Sequence, residues 1–322
     1  MSDNKPFQSN TASTFQLISD HAITLLEKGI VPSQQLWNPY GLPRNISSGY
    51  IYSEWNAVFL NSITLIDKYK TPLFLTFKQA TEMGGHIRRG EKGYPVAFWQ
   101  KIDNKYRSIG AAGEKDTEYN RSRMICTTYW VFNIDQTENI AFDMPIPARQ
   151  KTISEKNDSC QKLLDGMTNC PPIRQGTDMP TYVPSLDYIK IRGIDEFEST
   201  DHYYSHLFHV LAFSTGHHSR LNRMDLAANE ECNCKQPVTA KEALTAEIAT
   251  AMLCALTGIV LHPAANISYD RNYWRTHIKE DKSLILKASS QARAAVNYIL
   301  SAQPSDHTST SNRPHAHIAT AS

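Results

Sequence analysis

The sequence predicts an α+β fold in which a mixed helical and stranded first half precedes a mostly helical second half. In the first half, helical spacing of apolar residues alternates with β-branched and aromatic runs at 94–99 and 124–133. In the second half, helical spacing recurs at 201–215, 241–257 and 282–300. With 322 residues, 41% of them hydrophobic, the chain is long enough for about two domains that each bury a core.

The predicted elements of the first half are helices at 11–29, 56–69 and 76–83 and strands at 94–99 and 124–133. Apolar residues at helical spacing define the helices, and Gly29 and Gly84-Gly85 provide the stops. The strands are rich in aromatic and β-branched residues. Because Asp and Asn favour turns, Asp103-Asn104 is expected to turn the first strand back towards the second.

Pro145-Ile146-Pro147 and the polar stretch after it mark the boundary between the halves. Beyond it, a strand is predicted at 188–191 before the three helices. The last residues alternate Ser, Thr, Pro and His with few apolar side chains, so they cannot bury enough surface to become ordered. The predicted organisation is a first domain at 1–147, a linker at 148–160, a second domain at 161–302 and a disordered tail at 303–322.

Net charge and cysteine spacing limit the class of protein. Lys and Arg number 33 and Asp and Glu 32, giving a formal net charge of +1, so any affinity for nucleic acid must come from a local basic patch. The six cysteines form no paired CxxC units, which fits reduced thiols. No signal sequence or apolar run of membrane length is present, so we expect a cytoplasmic protein without membrane partners.

The segment His209-Val210-Leu211-Ala212-Phe213 has the spacing of a metallopeptidase helix but lacks its chemistry. An HExxH zinc hydrolase needs two histidines one helical turn apart and a Glu that takes a proton from metal-bound water. Val210 stands where that Glu would be, and Phe213 where the second His would be. No catalytic residue is therefore predicted. The two apolar side chains could pack the emptied site into the core, but the sequence does not show whether Phe213 fills that site or turns away from it.

An alternative set of ligands could hold a metal one helical turn earlier than the HExxH position. His202, His206 and His209 are spaced by four and three residues, so on a helix they share one face and could hold a metal. The competing interpretation is that His202 and His206 are exposed or hydrogen-bonded polar residues. Cys232 and Cys234 could join such a site, although a C-x-C pair alone is a weak signal.

The first half also combines cations with aromatic residues. This mixture is typical of single-stranded nucleic-acid binding, because cations hold phosphates while aromatic faces stack on unpaired bases. The competing interpretation is that the aromatic residues belong to the core and that the cations form a solvated turn. The candidate nucleic-acid-binding residues are Trp37, Arg44, Tyr52, Lys78, Arg88, Arg89, Lys92 and Trp99.

Long motifs in both halves are shared with one known family. Those of the first half are Leu36-Trp37-Asn38-Pro39, Leu75 to Ala80, Arg89-Gly90-Glu91-Lys92-Gly93 and Val131 to Gln136. Those of the second half are Pro180 to Pro184, Thr215-Gly216-His217, Ser219 to Arg223 and Glu242 to Glu247. With these motifs the chain resembles the ArdC-type antirestriction proteins of conjugative plasmids over nearly its whole length, except the two ends and the insertions.

The resemblance implies an N-terminal domain that binds single-stranded DNA and a zincin-like metallopeptidase domain after it. Zinc is the metal that it implies, with His209 as the first ligand and Glu247 as the third. Val210 and Phe213 depart from the HELxH pattern of the family, so we expect no bound cofactor. If a metal does bind, the candidate ligands are His209 and Glu247, or alternatively His206.

These features together predict a non-enzymatic, single-stranded-DNA-binding antirestriction protein of mobile genetic elements. One rival hypothesis is an active metallopeptidase with a rearranged zinc site, which would cleave some protein in a metal-dependent manner. The other is a pseudoenzyme whose degenerate domain captures a host restriction or other defence protein.

Overall fold

The computed structural model describes residues 11–28, 40–108, 117–147, 149–176, 179–223, 232–233, 239–260 and 271–300. Trp37, Cys234 and the predicted tail at 303–322 lie outside these residues. Helices and strands are mixed in the first half and helices dominate the second. The predicted α+β fold class is therefore confirmed.

Within the first half, the helices are α1 (Thr11–Glu27), α2 (Glu54–Ile66) and α3 (Phe77–Glu82). The strands are β1 (Arg44–Asn45), β2 (Leu73–Leu75), β3 (His86–Ile87), β4 (Tyr94–Ser108), β5 (Thr117–Asn133) and β6 (Thr137–Glu138). One sheet has the strand order β1-β2-β5-β4, and β3 pairs with β6 in a separate ladder. The three predicted helices are confirmed, with their ends displaced by a few residues.

The hairpin of β4 and β5 is much longer than predicted. These strands have 15 and 17 residues, and their antiparallel register continues to Ser108 opposite Thr117. The turn predicted at Asp103-Asn104 is wrong, because both residues are paired with residues of β5. The backbone hydrogen bonds of a long antiparallel ladder outweigh the local turn preference of Asp and Asn.

A capping box fixes the start of α3. Thr76 Oγ1 accepts a hydrogen bond from the Gln79 N–H at 3.2 Å, and Gln79 Oε1 accepts one from the Thr76 N–H at 2.8 Å. Beyond the helix, Gly84 adopts a left-handed conformation with φ of 83°, which favours glycine. The chain then passes through β3 into the segment 88–93.

The second half contains the helices α4 (Ile153–Gly166), α5 (Thr200–Ser214), α6 (Ala240–Thr257), α7 (Arg271–Glu280) and α8 (Leu284–Leu300). Its strands are β7 (Ile173–Gln175), β8 (Thr181–Val183), β9 (Tyr188–Ile191) and β10 (Cys232–Asn233), in the sheet order β10-β8-β9-β7. The predicted strand at 188–191 and the predicted helices at 201–215, 241–257 and 282–300 are confirmed.

The segment predicted as a linker, 148–160, is helical from Ile153 onwards. Thr152 caps α4, because its Oγ1 accepts a hydrogen bond from the Glu155 N–H and the Glu155 carboxylate accepts one from the Thr152 N–H. Cys160 and Leu163 of this helix are buried in the core. The polar composition of the segment thus belongs to the exposed face of a helix.

The two halves share a continuous hydrophobic core. Helix α1 contacts α7, and α2 contacts both α6 and α8. The residues that line a small, almost wholly apolar cavity between these helices are Ala22, Leu26, Trp55, Val58, Leu244, Glu247, Ile248, Trp274, Ile278 and Ile285. Among the helices that the structure describes, none is long and apolar enough to cross a membrane.

Candidate functional site

The basic turn, defined here as residues 88–92, lies between β3 and β4 and is held from one side by Gln136. The Arg88 N–H donates to the Gln136 carbonyl at 2.9 Å. In return, the Gln136 Nε2 donates to the Lys92 carbonyl and to the Glu91 carboxylate, both at 3.0 Å. Gly90 has φ of 91°, a left-handed conformation at the tip of the turn. These hydrogen bonds therefore hold the basic turn in one conformation, with residues 88–90 exposed.

The cations of the basic turn have different surroundings. Arg88 donates through Nε and Nη2 to one Glu91 oxygen, at 3.2 and 2.7 Å. The hydrogen bond from Gln136, together with the Arg88 guanidinium, holds the pKa of the Glu91 carboxyl below its usual range, so this acid stays ionised. Arg89 and Lys92 are exposed and form no ion pair within the described chain. Their charges are available to a phosphate, while Arg88 mainly stabilises the turn.

Two other predicted cations lie on neighbouring elements. Lys78, in the first turn of α3, is exposed and pairs with Glu82 at 3.4 Å, one helical turn away. Arg44 belongs to β1 and is half-buried. A surface ion pair such as Lys78–Glu82 is weak, so a phosphate can replace Glu82 as the partner of Lys78 at small cost.

The predicted stacking role of Tyr52 is wrong. Only 2% of this residue is exposed, and its ring packs edge-on against Tyr50 and Phe74 at centroid distances of 5.5 and 6.4 Å. Burial raises the pKa of its hydroxyl to about 12. An aromatic ring that fills the core in this way has no free face for a base.

The exposed aromatic residues of the first half differ in part from those predicted. Trp99 is 41% exposed, as a stacking role requires, and its ring contacts Phe15 edge-on at 6.1 Å. Phe77 and Trp130, at 52% and 45% exposure, were not among the candidates. The sequence signal for Phe77 was its place directly after the Thr76 cap, in a short helix with few buried positions.

Helix α5 carries the segment that matches the metallopeptidase helix. Its N-cap is Ser199, whose Oγ accepts a hydrogen bond from the His202 N–H at 3.1 Å. From Tyr204 to Ser214 every residue of α5 is buried. A helix that is buried all round belongs to the core, so a polar group on it has little access to water.

His209 is 1% exposed, and neither of its ring nitrogens has a hydrogen-bond partner. The Phe213 ring packs against it edge-on, with centroids 5.0 Å apart. Burial lowers the pKa of His209 to about 4, so the imidazole is neutral near pH 7. Val210 and Phe213 are fully buried, so of the two possibilities left open by the sequence both residues take the one in the core.

Glu247, the predicted third metal ligand, lines the apolar cavity between the two halves. Its charge, after the larger effect of burial, raises the pKa of the Tyr273 hydroxyl on α7. His209 is not among the residues that line this cavity. Within the described residues, no three His, Cys, Asp or Glu side chains lie close enough to hold a metal ion. The residues of α5 and α6 therefore do not fit the zinc of an active zincin, which needs three protein ligands.

A buried ion pair joins α5 and α6 instead. Arg223 Nε donates to both oxygens of Glu242 at 2.9 Å. Its Nη1 donates to Thr215 Oγ1 at 2.8 Å, and its Nη2 to the Ala212 carbonyl at 3.0 Å. One guanidinium thus fixes the C-terminal turn of α5 to the first turn of α6.

The other arginine of the Ser219-to-Arg223 motif is also structural. The Arg220 side chain is 1% exposed and pairs with Asp187. It also donates to the Tyr182 hydroxyl at 3.1 Å and to the Ser214 carbonyl at 2.7 Å. His217 Nδ1 meets both Ser219 Oγ at 2.8 Å and Asp187 at 3.7 Å. Because Ser and Asp share one nitrogen, these three residues are not a Ser-His-Asp relay, which uses both nitrogens.

The structure brings together two members of the alternative histidine set. His202 Nε2 and His206 Nε2 form a hydrogen bond of 3.0 Å on α5, as expected if these residues are hydrogen-bonded polar side chains. His206 is 7% exposed and His202 is half-buried. His209 packs on Phe213, so it does not complete the predicted trio.

Two protein families match this chain in succession. Residues 12–132 match the N-terminal domain of the anti-restriction factor ArdC, and residues 166–291 match the zincin-like metallopeptidases. Among curated proteins, DNA primase TraC of Escherichia coli is 30% identical over 300 residues, which are 88% of this chain and 26% of TraC. The chain thus spans about a quarter of that relative. Protein y4eC of Sinorhizobium fredii is 24% identical over 297 residues, which are 91% of this chain and 92% of y4eC.

Solved structures of the antirestriction protein ArdC from plasmid R388 share the fold. The metal-free structure is 26% identical with a TM-score of 0.65, covering 89% of this chain and 97% of that one. The Mn(II)-bound structure is 27% identical with a TM-score of 0.66, and the match covers 91% of this chain and 99% of that one. The two successive family matches and this likeness along nearly the whole chain show that the protein belongs to the ArdC-type antirestriction family, with an ArdC N-terminal domain followed by a zincin-like domain.

Proposed function

We propose that this chain is a single-stranded-DNA-binding antirestriction protein whose zincin-like half has lost peptidase activity. Its effect would be to protect the DNA of a mobile element from host restriction in the bacterial cytoplasm. The main support for the proposed DNA binding is that Arg89 and Lys92 are exposed on the basic turn. This turn lies in the half that matches the ArdC N-terminal domain.

The surface of the first half suits an unpaired strand better than a duplex. Lys78, Arg89 and Lys92 supply charges for phosphates, while Phe77 and Trp99 present aromatic faces on which bases can stack. Stacking accepts any base, since every base has a π face. We therefore infer binding without sequence readout.

Replacing Arg89 and Lys92 together by Ala should weaken binding of a single-stranded oligonucleotide about tenfold at low salt. The slope of log affinity against log salt should fall by about 0.7 for each lost phosphate contact. Fluorescence anisotropy across a salt series measures both quantities. The matched control replaces the exposed Lys162 and Lys279 of the second half by Ala, which removes the same charge. An unchanged slope in the Arg89/Lys92 variant would show that the basic turn does not contact DNA.

The residues of α5 support the proposed loss of peptidase activity. With Val210 in place of the glutamate, this position of α5 has no carboxylate to accept a proton from an attacking water, and general-base help is commonly worth about two to four orders of magnitude in rate. With Phe213 packed on His209, the second ligand position is apolar. The rival hypothesis of an active peptidase has no proton acceptor at this position.

Cleavage of casein and of a mixed fluorogenic peptide library should therefore equal the rate in buffer, with or without added Zn²⁺. A metal chelator such as phenanthroline should change nothing, and the variant His209→Leu should behave like the wild type. Chelator-sensitive cleavage that disappears in His209→Leu would refute the proposal. The DNA-binding experiment above would stand independently of that outcome.

A further inference from the structure

We propose that His202 and His206 form a binding site for a divalent transition-metal ion, distinct from the HExxH position of the family. They lie four residues apart on α5, and so on one face of the helix. Their Nε2 atoms share a hydrogen bond of 3.0 Å, which a bound ion would replace. The site uses neither His209 nor Glu247.

The separation of the two nitrogens fits chelation of one ion. Imidazole nitrogens bind zinc-like ions at about 2.0–2.1 Å, so an ion equidistant from both Nε2 atoms would subtend an angle of about 95° between them. That angle lies near the one between adjacent ligands of an octahedral or tetrahedral ion. The rings are tilted by 34° with centroids 4.8 Å apart.

The surroundings of His202 provide a second, independent argument. Its Nδ1 lies 3.8 Å from the Glu198 carboxylate, which is 77% exposed and can rotate closer. A metal-bound histidine usually donates its other ring N–H to a carboxylate, which fixes the tautomer and strengthens the ligand. Phe197 packs edge-on against His202 at 5.4 Å and tilted against His206 at 5.8 Å, so both rings have a set orientation.

The ligand type determines which ions the site would take. Two neutral imidazoles favour Cu²⁺, Ni²⁺ and Zn²⁺, and the affinity of such a site rises steeply from Mn²⁺ to Cu²⁺. Mn²⁺ prefers oxygen ligands, so this site should discriminate against the ion present in one structure of R388 ArdC. With two histidines and Val210 in place of the HExxH glutamate, the site lacks the residue that acts as general base in that class of hydrolase. The site would bind metal without hydrolytic chemistry.

The test is calorimetric titration of the full chain, free of a histidine tag, with NiCl2 and separately with MnCl2. One equivalent of Ni²⁺ should bind, and its affinity should fall at least about tenfold in His202→Ala and in His206→Ala. Glu198→Gln should weaken it about tenfold, the lower end of the usual effect of such carboxylate partners. Circular dichroism would confirm that α5 remains helical in each variant.

Two matched controls separate this site from other histidines. The pair His315→Ala/His317→Ala removes as many imidazoles from the C-terminal sequence, and His209→Leu removes the family position; both should retain the nickel affinity of the wild type. Absence of nickel binding in the wild type, or its persistence in the double variant His202→Ala/His206→Ala, would overturn the proposal. Equal affinity for Mn²⁺ would do so too. None of these variants changes the basic turn, so DNA binding is tested separately.

Discussion

Arg223→Met should lower the free energy of unfolding by about 3–5 kcal/mol, the usual cost of removing one partner from a buried ion pair. Glu242 is fully buried, and both of its oxygens accept hydrogen bonds from Arg223 Nε. The substitution leaves this carboxylate in the core without the guanidinium. It also removes the donors to Thr215 and Ala212 at the end of α5.

The double variant Arg223→Met/Glu242→Leu should recover most of this loss, because it removes the buried charge together with its partner. Urea unfolding followed by circular dichroism would give the unfolding free energies of both variants and of the wild type. A single variant that costs less than about 1 kcal/mol, or a double variant that costs as much as the two single changes added, would contradict the interpretation of a buried, mutually dependent pair.

The Arg223–Glu242 ion pair suggests a structural role for two motifs of the family. In a zincin, a metal ion links the histidine helix to the acidic helix. In this chain Arg223 makes that link between α5 and α6 through Glu242. The Ser219-to-Arg223 motif and the start of the Glu242-to-Glu247 motif therefore stabilise the scaffold through contacts that involve no metal.

The elements that could be predicted from sequence are those rich in apolar residues or with a regular alternation of apolar and polar residues. Helices α5, α6 and α8 are largely buried, and β9 alternates buried and half-buried residues, so each leaves a strong pattern. Helices α4 and α7 were missed. Both are polar overall, and each buries only a few apolar residues, such as Cys160 and Leu163 on α4 and Trp274 and Ile278 on α7, so neither stands out as an apolar segment.

For the candidate site too, some features could be predicted from the sequence and others could not. The departures at Val210 and Phe213 are visible in the sequence, because the HExxH motif fixes which residue belongs at each position. The contacts of Glu247 could not be predicted, since they depend on how α6 packs against α1 and α2. Likewise, Tyr52 and Trp99 are both aromatic residues in the basic half, and only long-range packing decides that one is core and the other surface.

Acid should destabilise this protein through His209. The folded state holds its pKa at about 4, whereas an unfolded histidine titrates near 6.5. Between these values the unfolded chain binds a proton that the folded chain does not, so stability falls as the pH drops through 6.5 and the loss is complete near pH 4. The shift of about 2.5 pH units corresponds to about 3 kcal/mol.

His209→Leu should remove this pH dependence and should not destabilise the protein at pH 7. Leucine fits the apolar contact with Phe213, and the substitution removes two buried nitrogens that have no partner, each costing about 1–3 kcal/mol. Unfolding free energies at pH 7, 6, 5 and 4 would show the difference. His21→Leu is the matched control: burial also lowers the pKa of His21, but the nearby Asp20 opposes the shift, so this variant should remove a smaller part of the acid sensitivity. If His209→Leu lost several kcal/mol at pH 7 and kept the pH dependence of the wild type, His209 would have a partner in solution, and its nitrogens would not be the source of the acid sensitivity.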